Sequence, residues 1–382
     1  MTIKYCEKCV TPNTRPRIEF DKEGVCNACR HEEWKDTVDW EKKREELRKL
    51  TAQYRNKNNY DCIIPVSGGK DSHYQVWYLK EFLGLNPLCV TFAPSIPNKL
   101  GQQNLRNLIE EFNVDHVMIT PNPIIHANLC DKMLEQHGNI FIPWVQGIFS
   151  AVTQEAIRRK IPLIIYGENG EAEYGGSTKL KALSNKGIAE RIRTARSNWR
   201  PPEEWHKYGY LKENLLPYIM PSQAEQKRAG IRRIYLGDYD RWNTAKHLEL
   251  AYKWDFKDRK DRSPATYTTG ASIDDDIDQI YMWFMWLKFG IGRASKSASP
   301  DIREKTITRK KGIRMAKLYD HEFPWETFHT VLQYICMTEG EFWKIAKRFV
   351  NPKVWKKVGK DKWQHRNTIH GEDRFLELPV KR

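Results

Sequence analysis

The sequence predicts an α/β protein in which a parallel sheet carries helices on both faces. Short apolar runs alternate with longer amphipathic stretches between residues 59 and 240, which is typical of parallel strands joined by helices. Two cysteine pairs precede this region, and helical patterns rich in Trp and Tyr follow it. We therefore expect a zinc ribbon at residues 1–35, a linker helix at 36–58, the α/β domain at 59–240 and a helical substrate or partner domain at 241–382.

The composition permits two or three domains with a sizeable core, since the chain has 382 residues and 40% of them are hydrophobic. The formal net charge of +15 is compatible with nucleic acid, with an anionic small substrate or with an acidic partner protein. The polar N-terminus has no apolar leader. The longest apolar stretch, residues 281–287, is too short to span a bilayer. We expect a cytoplasmic protein that does not associate with membranes.

Four cysteines form two Cys-x-x-Cys knuckles, Cys6 with Cys9 and Cys26 with Cys29, separated by sixteen residues. Each knuckle directs two thiolates at one point, and two knuckles complete a tetrahedral site. Zn²⁺ is the expected metal, with an iron–sulfur cluster or four unconnected thiols as alternatives. Four protein thiolates leave no open coordination position, so the site should be structural. The other cysteines have apolar neighbours and are expected in the core: Cys62, Cys89, Cys130 and Cys336.

The elements of the α/β domain are predicted from alternating apolar runs and helical patterns. Strands are expected at residues 61–66, 87–92, 116–119, 162–166 and 231–236. Helices are expected at residues 71–82 and 99–112, one or two within 124–160, and a charged surface helix within 32–57. Parallel strands hold ligands at their carboxyl ends. Four stretches should therefore face one cleft: residues 67–72, 91–93, 167–171 and 237–240.

Residues from 241 onward have a helical pattern that continues to the C-terminus. Acidic residues 274–276 precede an aromatic helix at 279–289. The acidic residues suit a helix N-terminus and are expected to cap it. The aromatic side chains are expected to form core.

The string Ser-Gly-Gly-Lys-Asp-Ser at residues 67–72 lies between the first predicted strand and a helix. Two glycines let the backbone approach a ligand, and the first N–H groups of a helix lack internal partners, so the turn suits phosphate. The carboxylate of Asp71 would repel phosphate without an intervening cation, which indicates Mg²⁺ beside a nucleotide. Neither Gly-x4-Gly-Lys-Ser/Thr anywhere nor Gly-x-Gly-x-x-Gly after the first strand occurs. Kinase or GTPase chemistry of that type and dinucleotide binding are therefore disfavoured.

This string resembles the pyrophosphate loop of the PP-loop ATP pyrophosphatase superfamily, which includes GMP synthetase, NAD synthetase and the tRNA thiolases. The resemblance implies an adenine-nucleotide α-hydrolase-like sheet and cleavage of ATP between the α and β phosphates. Further motifs, over nearly the whole chain, resemble the N-acetyl sugar amidotransferase family of lipopolysaccharide and flagellar sugar synthesis. They are Cys-Glu-Lys-Cys-Val-Thr-Pro-Asn-Thr-Arg-Pro (6–16), Gly-Glu-Asn-Gly-Glu-Ala-Glu-Tyr-Gly-Gly (167–176), Leu-Gly-Asp-Tyr (236–239) and Lys-Phe-Gly-Ile-Gly-Arg-Ala (288–294).

The family resemblance implies conversion of an acetamido group on a nucleotide-activated sugar to an acetamidino group, in O-antigen or surface-glycan synthesis. Ammonia would come from a separate glutaminase subunit, with a cyclase-like subunit, resembling the pair of histidine biosynthesis. The cysteines independently indicate that a partner is needed. Residue 2 is Thr, and none of the four cysteines outside the knuckles lies in a Gly-x-Cys-x-Gly elbow, so the nucleophile of a glutaminase is missing.

The motifs also suggest, as a hypothesis, roles for individual residues. Asp71 is expected to hold Mg²⁺, Lys70 to neutralise phosphate charge, and Glu168 to take part in catalysis. The expected ATP site consists of Val66, Ser67, Gly68, Gly69, Lys70, Asp71, Ser72, Thr91, Phe92 and Gly167. Substrate contacts are expected from Asn169, Glu171, Tyr174 and Arg293.

Structural alternatives remain open for several of these residues. Lys70 could point to solvent, Thr91 and Phe92 could be core, and the carboxylates of residues 168–171 could form a solvated turn. Arg293 could grip a phosphate or carboxylate of the substrate, or it could be a C-cap of the preceding helix.

A tRNA thiolase with a zinc ribbon is the main alternative function, because some of those enzymes share the loop and the knuckles. They also need catalytic or cluster-binding cysteines in the nucleotide domain, typically as a Cys-x-x-Cys pair. Here Cys130 is alone and Cys62 lies inside a strand before the loop. A non-catalytic nucleic-acid binder would leave the intact loop without a use. Nucleic acid is therefore not the expected partner, and the particular nucleotide sugar stays open.

Overall fold

The computed structural model describes residues 3–177, 201–369 and 371–379. A five-stranded sheet with the order β3-β2-β1-β4-β5 forms its centre, and every pairing is parallel. The strands are β1 (Cys62–Pro65), β2 (Pro87–Phe92), β3 (Asp115–Ile119), β4 (Leu163–Tyr166) and β5 (Arg232–Tyr235). The predicted parallel sheet is confirmed, with each strand end within one residue of its expected position.

The N-terminal ribbon consists of the two cysteine knuckles and the chain between them. Isolated antiparallel bridges join Tyr5 to Pro12 and Phe20 to Cys26 in place of regular strands. Helix α1 (Asn27–Lys35) begins directly after Cys26. The cysteines dominate the small buried core of this ribbon, so its stability should depend on what joins the thiolates.

Helix α2 (Trp40–Ala52) connects the ribbon to the sheet. The Asp39 side chain accepts a backbone hydrogen bond and caps the helix N-terminus. Leu47 and Leu50 are buried among the helices and strands of the α/β unit. The surface helix expected within 32–57 corresponds to α2, on which Leu47 and Leu50 form an apolar face. Residues 32–35 belong to α1.

Both faces of the sheet are covered by helices. They are α3 (Lys70–Trp77), α4 (Lys99–Phe112), α5 (Pro123–His137) and α6 (Ile142–Arg159). Successive residues of a strand point to opposite faces. Ile63 packs in the cluster that contains residues of α5 and α6, whereas Cys62 and Ile64 pack in the cluster of α3 and α4. Burial on both faces explains why the strands are continuous apolar runs.

Short helical elements surround the later strands. They are a π-helical turn (Tyr78–Phe82), α7 (Gly170–Glu173), α8 (Lys212–Leu215), α9 (Gln223–Arg228) and α10 (Thr244–Tyr252), with 3₁₀ turns at Pro202–Tyr208, Leu216–Tyr218 and Leu236–Asp238. Helix α10 packs directly on α3. Across the described ranges, no helix combines the length and apolar character needed to cross a membrane.

The C-terminal region contains five further helices and a small sheet. The helices are α11 (Ile277–Phe289), α12 (Arg293–Arg303), α13 (Arg309–Tyr319), α14 (Trp325–Tyr334) and α15 (Glu339–Phe349). Trp283 and Phe284 of α11 are buried, which confirms the aromatic core. The expected helical continuation to residue 382 is wrong over residues 355–377, where three strands form an antiparallel sheet: β6 (Trp355–Lys357), β7 (Lys362–His365) and β8 (Phe375–Glu377).

The cysteines outside the ribbon differ in their surroundings. Cys62, Cys89 and Cys130 are buried, as expected. Cys336 is exposed and has a φ of 51°, so its expected core position is wrong. It lies just beyond the end of α14, where the chain reverses before α15.

Helix α6 packs closely on β2, and this contact supplies a test of the fold. A Cβ atom at Gly147 would lie 2.3 Å from the Phe92 ring. Overpacking costs about 1–3 kcal/mol, more than the ~1 kcal/mol that alanine gains over glycine in a helix. Gly147→Ala should therefore lower the midpoint of thermal unfolding, measured by circular dichroism.

Gly340→Ala in α15 is the matched control, because a Cβ atom there meets nothing within 4 Å. This variant should keep or raise the unfolding midpoint, since only the helix propensity changes. Equal effects of the two substitutions would contradict the close packing of α6 on β2.

Candidate functional site

The sheet order places a crevice at the carboxyl ends of β1 and β4. From β1 the chain proceeds to β2 on one side, and it later returns to β4 on the other side. Loops that leave two such neighbouring strands diverge, and ligands bind between them. The stretches after β1, β2, β4 and β5 lie at this one edge because all strands are parallel, as the sequence predicted.

The loop after β1, residues 67–72, is called the phosphate loop here after its predicted role, and it forms a closed turn at the N-terminus of α3. The Ser67 N–H donates to the Ser72 hydroxyl at 3.1 Å, and the Gly69 N–H donates to the Ser67 hydroxyl at 3.4 Å. Gly68 has a φ of +86°, and a Cβ atom there would lie 2.5 Å from the backbone nitrogen of Leu105. Only glycine fits this position, because both the dihedral and the neighbouring helix exclude a side chain.

Asp71 is held on both of its carboxylate oxygens. Lys70 Nζ lies 2.6 Å from Oδ2, and His247 Nδ1 lies 2.8 Å from Oδ1. Burial alone would raise the pKa of Asp71, but the Lys70 charge and the His247 hydrogen bond together hold it well below its usual range. Lys70 thus pairs with Asp71 and does not point freely to solvent.

His247 is a site residue that the sequence did not reveal. It lies on α10 with 1% of its side chain exposed, and its ring stacks on Tyr74 with centroids 3.9 Å apart. The edge of Trp242 contacts it from a second direction, at 4.4 Å. No motif surrounds His247 in sequence, because it reaches Asp71 only through the packing of α10 on α3.

Asp274 also lies near the loop, where Ser67 helps to lower its pKa. Burial, followed by the nearby charge of Asp278, raises the pKa of Asp274. Gly101 in the first turn of α4 makes room for it, since a Cβ atom there would lie 2.5 Å from the Asp274 Cα. The expected capping role is therefore wrong for Asp274, which places the C-terminal region beside the phosphate loop.

The two residues after Asp274 make other contacts. Asp275 accepts the Ile277 N–H at the start of α11, as a capping residue would, but it also accepts the N–H groups of Ser95 and Ile96 beyond β2. Asp276 occupies the N-cap position of α11 without making a side-chain cap. The residues predicted as caps therefore mainly join the start of α11 to the segment that follows β2.

Thr91 and Phe92 of the expected ATP site have buried side chains that already have partners. The Thr91 hydroxyl donates to the Val66 carbonyl at 2.7 Å, and Phe92 is 2% exposed in the core between β2 and α6. Their nucleotide contacts stay a prediction, and such contacts would have to use the backbone at the strand end.

The loop after β4 is tied to the ribbon and buries the side chains of Glu171 and Glu173, so the alternative of a solvated acidic turn is wrong. The Asn169 side chain accepts the Glu171 N–H at 3.3 Å and caps α7. Glu171 pairs with Arg17 at 2.8 Å, and Glu173 pairs with Lys35 at 2.6 Å. The carboxylates of Glu171 and Glu173 therefore hold the loop in place.

Gly167 begins this loop, directly after β4. Its carbonyl accepts the Gly237 N–H at 3.1 Å. A Cβ atom at Gly167 would lie 2.8 Å from the Trp242 ring, so the strand end has no space for a larger residue. Its expected role in the ATP site stays a prediction.

A cavity of about 410 Å³ lies beside this loop. Its lining combines four basic residues with an aromatic wall, and it includes Arg15, Arg17, Lys296, Arg303, Phe141, Trp144, Tyr281, Glu168, Glu171 and Tyr174. The Tyr174 hydroxyl donates to Glu168 at 3.5 Å, and the charges of Glu168 and Asp71 both act on Tyr174. The cavity and the phosphate loop are therefore neighbours that meet at Glu168 and Tyr174.

Arg293, an expected substrate ligand, is not among the residues that line the cavity. Its guanidinium pairs with Asp278 at 3.1 Å. The preceding helix is capped by Gly290, with a φ of 66°, and Arg293 begins α12. The C-cap alternative is therefore wrong, and the role of Arg293 toward a substrate stays a prediction.

The four ribbon cysteines have the geometry of a metal site. All four Sγ atoms lie within 4.8 Å of one another, with Cys6 and Cys29 at 3.8 Å and Cys9 and Cys26 at 3.7 Å. A tetrahedron with Zn–S bonds of about 2.3 Å has sulfur atoms about 3.8 Å apart. The cluster therefore fits zinc.

Helices α12 and α13 contact the ribbon through hydrogen bonds. Arg309 donates to the carbonyls of Cys6 and Cys9 at 3.0 and 3.1 Å, and the Thr11 hydroxyl donates to Ser299 at 3.0 Å. These contacts place the chain between the knuckles, with Arg15 and Arg17, along one side of the cavity.

Residues 240–369 match the family model described as "LPS biosynthesis protein WbpG-like, C-terminal domain". This part of the chain is thus similar to the C-terminal domain of lipopolysaccharide biosynthesis proteins, in agreement with the resemblance seen in the motifs. An uncharacterised protein of Methanocaldococcus jannaschii is 30% identical over 116 residues. The aligned part covers 30% of this chain and 42% of that protein, so the chain spans less than half of its relative.

Solved structures with some similarity include an NH3-dependent NAD synthetase from Campylobacter jejuni in complex with nitrate (TM-score 0.28, 17% identity, 50% of this chain and 94% of that one). An NMN synthetase from Francisella tularensis has a TM-score of 0.27 and 14% identity, covering 72% of this chain and 96% of that one. TM-scores this low support no conclusion about the present chain.

The geometry of Gly68 predicts a selective loss of nucleotide binding. Gly68→Ala would place a Cβ atom against the backbone of α4 at 2.5 Å, so the loop must shift. We expect the affinity for the Mg²⁺ complex of α,β-methylene-ATP, measured by titration calorimetry, to fall by about 100-fold or more, because the phosphate-binding N–H groups lose their alignment.

Gly209→Ala is the matched control, since Gly209 has a φ of +93° and no atom within 4 Å of the added Cβ. It should cost only the backbone strain of about 1–2 kcal/mol in stability and leave nucleotide affinity unchanged. Normal nucleotide binding by Gly68→Ala would contradict the assigned loop geometry.

Proposed function

We propose that the chain is an ATP-dependent amidotransferase that converts the acetamido group of a nucleotide-activated sugar to an acetamidino group, releasing AMP and pyrophosphate. The carrying observation is that a phosphate-type loop and a separate basic cavity adjoin at Glu168 and Tyr174. The loop suits the polyphosphate of ATP, and the basic cavity suits a second anionic substrate. The lipopolysaccharide-type domain over residues 240–369 supports a sugar of surface-glycan synthesis.

In the first step the acetamide oxygen attacks the α-phosphorus of ATP, and the bond from that phosphorus to the β-phosphate oxygen breaks. The N–H groups and hydroxyls of the loop, including Ser67 and Ser72, bind the phosphates. Lys70 exchanges its contact with Asp71 for the negative charge of the departing pyrophosphate. The carboxylate of Asp71 would hold Mg²⁺, which when bound neutralises phosphate charge.

In the second step ammonia attacks the carbon of the adenylylated intermediate. The new C–N bond replaces the C–O bond, AMP leaves, and one proton is released because the product is an amidinium. Glu168, which accepts the Tyr174 hydroxyl hydrogen bond, is the carboxylate that would take up this proton. Positioning of the substrates supplies most of the rate, since adenylylation has already made the oxygen a good leaving group.

We further propose that the ammonia comes from a separate glutaminase subunit with a cyclase-like partner. Burial raises the pKa of the Cys89 thiol to about 12 and also raises the pKa values of Cys62 and Cys130. These three thiols are therefore protonated at neutral pH and unsuited to attack glutamine. The raised pKa values of these buried thiols also disfavour the alternative of tRNA thiolation, because that reaction needs reactive or cluster-binding cysteines.

Asp71→Asn tests the proposed chemistry. The substitution removes the charge that would hold Mg²⁺, so formation of AMP from ATP should fall by about 100-fold or more, measured with ammonium chloride and an acetamido nucleotide sugar. Asp261→Asn, at an exposed position, is the control and should keep full activity. Normal turnover by Asp71→Asn would exclude the assigned role.

The source of nitrogen is tested with the purified chain. Ammonium salts at high pH should support amidine formation, detected by mass spectrometry of the sugar product, because free ammonia rises with pH. Glutamine alone should support none. Amidine formation from glutamine without another subunit would contradict the proposed division of labour.

A further inference from the structure

We propose that Arg15 and Lys296 together bind the phosphate groups of the sugar nucleotide, which makes the cysteine ribbon a part of the acceptor site. The identity of the ligand rests on the proposed function. The placement of the two cations rests on the cavity itself. The ribbon would then have a binding role in addition to its structural one.

Arg15 lies between the two knuckles and lines the cavity, and its Nη1 is buried without a hydrogen-bond partner. The charge of Glu171 acts on Arg15, but that carboxylate is ion-paired with Arg17. Within the described parts of the chain Arg15 forms no ion pair. A buried unpaired charge is costly, and an anionic ligand in the cavity would supply the missing partner.

Lys296 lines the same cavity from helix α12. Helix α12 lines the cavity with Lys296, Ser299, Pro300 and Arg303, the i, i+3, i+4 and i+7 positions of one helical face. Among described residues, the ammonium contacts the sulfur of Met282 at 3.5 Å and lies 5.9 Å from the ring centre of Tyr281. It forms no ion pair with a carboxylate there, although the cavity opens it to solvent.

Two of the three lining carboxylates are engaged in ion pairs. Glu171 pairs with Arg17 at 2.8 Å, and Asp278 pairs with Arg293 at 3.1 Å. Glu168 also lines the cavity, and its charge acts on Lys296. Four basic residues against three carboxylates still leave the lining with a net positive charge. Arg15 and Lys296 line the same cavity, and the charge of Arg15 helps to lower the pKa of Lys296. A diphosphate in this cavity would meet both cations.

An aromatic wall beside the cations suits the rest of such a ligand. Phe141 stacks with Tyr281 at a centroid distance of 5.5 Å and contacts Trp144 at 4.7 Å. Trp144 also has a buried indole N–H without a hydrogen-bond partner in the described chain. An apolar face with one unused donor matches a base or sugar ring that carries a carbonyl group.

The test uses the full chain saturated with Mg²⁺ and α,β-methylene-ATP, so that the phosphate loop is filled. UDP-N-acetylglucosamine and CMP-N-acetylneuraminate are titrated calorimetrically, with N-acetylglucosamine as a neutral probe. At least one nucleotide sugar should bind the wild type. Arg15→Ala and Lys296→Met should each weaken that binding by about tenfold or more, and Arg15→Lys should weaken it less than Arg15→Ala.

Lys22→Ala in the ribbon and Lys310→Met on α13 are matched controls, because both side chains are exposed and outside the cavity lining. They should bind as the wild type does. Zinc content and unfolding midpoint are measured for Arg15→Ala, and Lys296→Met keeps the test valid if the ribbon variant misfolds.

The inference is overturned if the wild type binds α,β-methylene-ATP but neither nucleotide sugar. It is also overturned if Lys296→Met and a folded Arg15→Ala bind as tightly as the controls. A wild type that fails to bind α,β-methylene-ATP would instead contradict the proposed function, so the two failures are distinct.

Discussion

A buried ion pair between Lys35 and Glu173 fixes the ribbon against the loop that follows β4. The two charged atoms are 2.6 Å apart, and 1% of the lysine side chain is exposed. The same ammonium donates to the carbonyl of Trp242 beyond β5, at 3.1 Å. Loss of one partner of such a pair costs about 3–5 kcal/mol. With the Arg17–Glu171 pair, this contact gives the cavity its shape, because ribbon, loop and strand end are held as one unit.

The crevice is assembled from both halves of the chain. The sheet unit supplies Asp71 and Ser67. The region after β5 supplies His247, which contacts Asp71, and Asp274, which lies near Ser67. Lys288 of α11 joins the halves elsewhere, since its buried ammonium donates to the last carbonyls of α5, where a cation suits the helix dipole. The phosphate loop therefore has its complete surroundings only when the C-terminal helices are docked.

The sheet and the phosphate loop could be predicted from sequence because their causes are local. Buried parallel strands leave apolar runs, and a glycine such as Gly68 marks a backbone that no other residue adopts. His247 and Asp274 could not be predicted, since tertiary packing alone brings them to the loop. Arg293 stood in a conspicuous glycine-rich turn, yet its charge is used by Asp278 from the preceding helix. The strands of the C-terminal sheet are three or four residues long and rich in lysine, so they leave no apolar run.

The hydrogen bonds between the ribbon and helices α12 and α13 have a consequence for synthesis on the ribosome. Thr11 precedes its partner Ser299 by 288 residues, and Arg309 follows Cys6 by 303. At about 5–20 residues per second, the ribbon emerges about 15 to 60 s before these partners exist. During that interval a bound metal would be the main force that keeps the four thiolates together. Metal supply to the nascent chain would therefore influence how much of the newly made protein reaches its folded form.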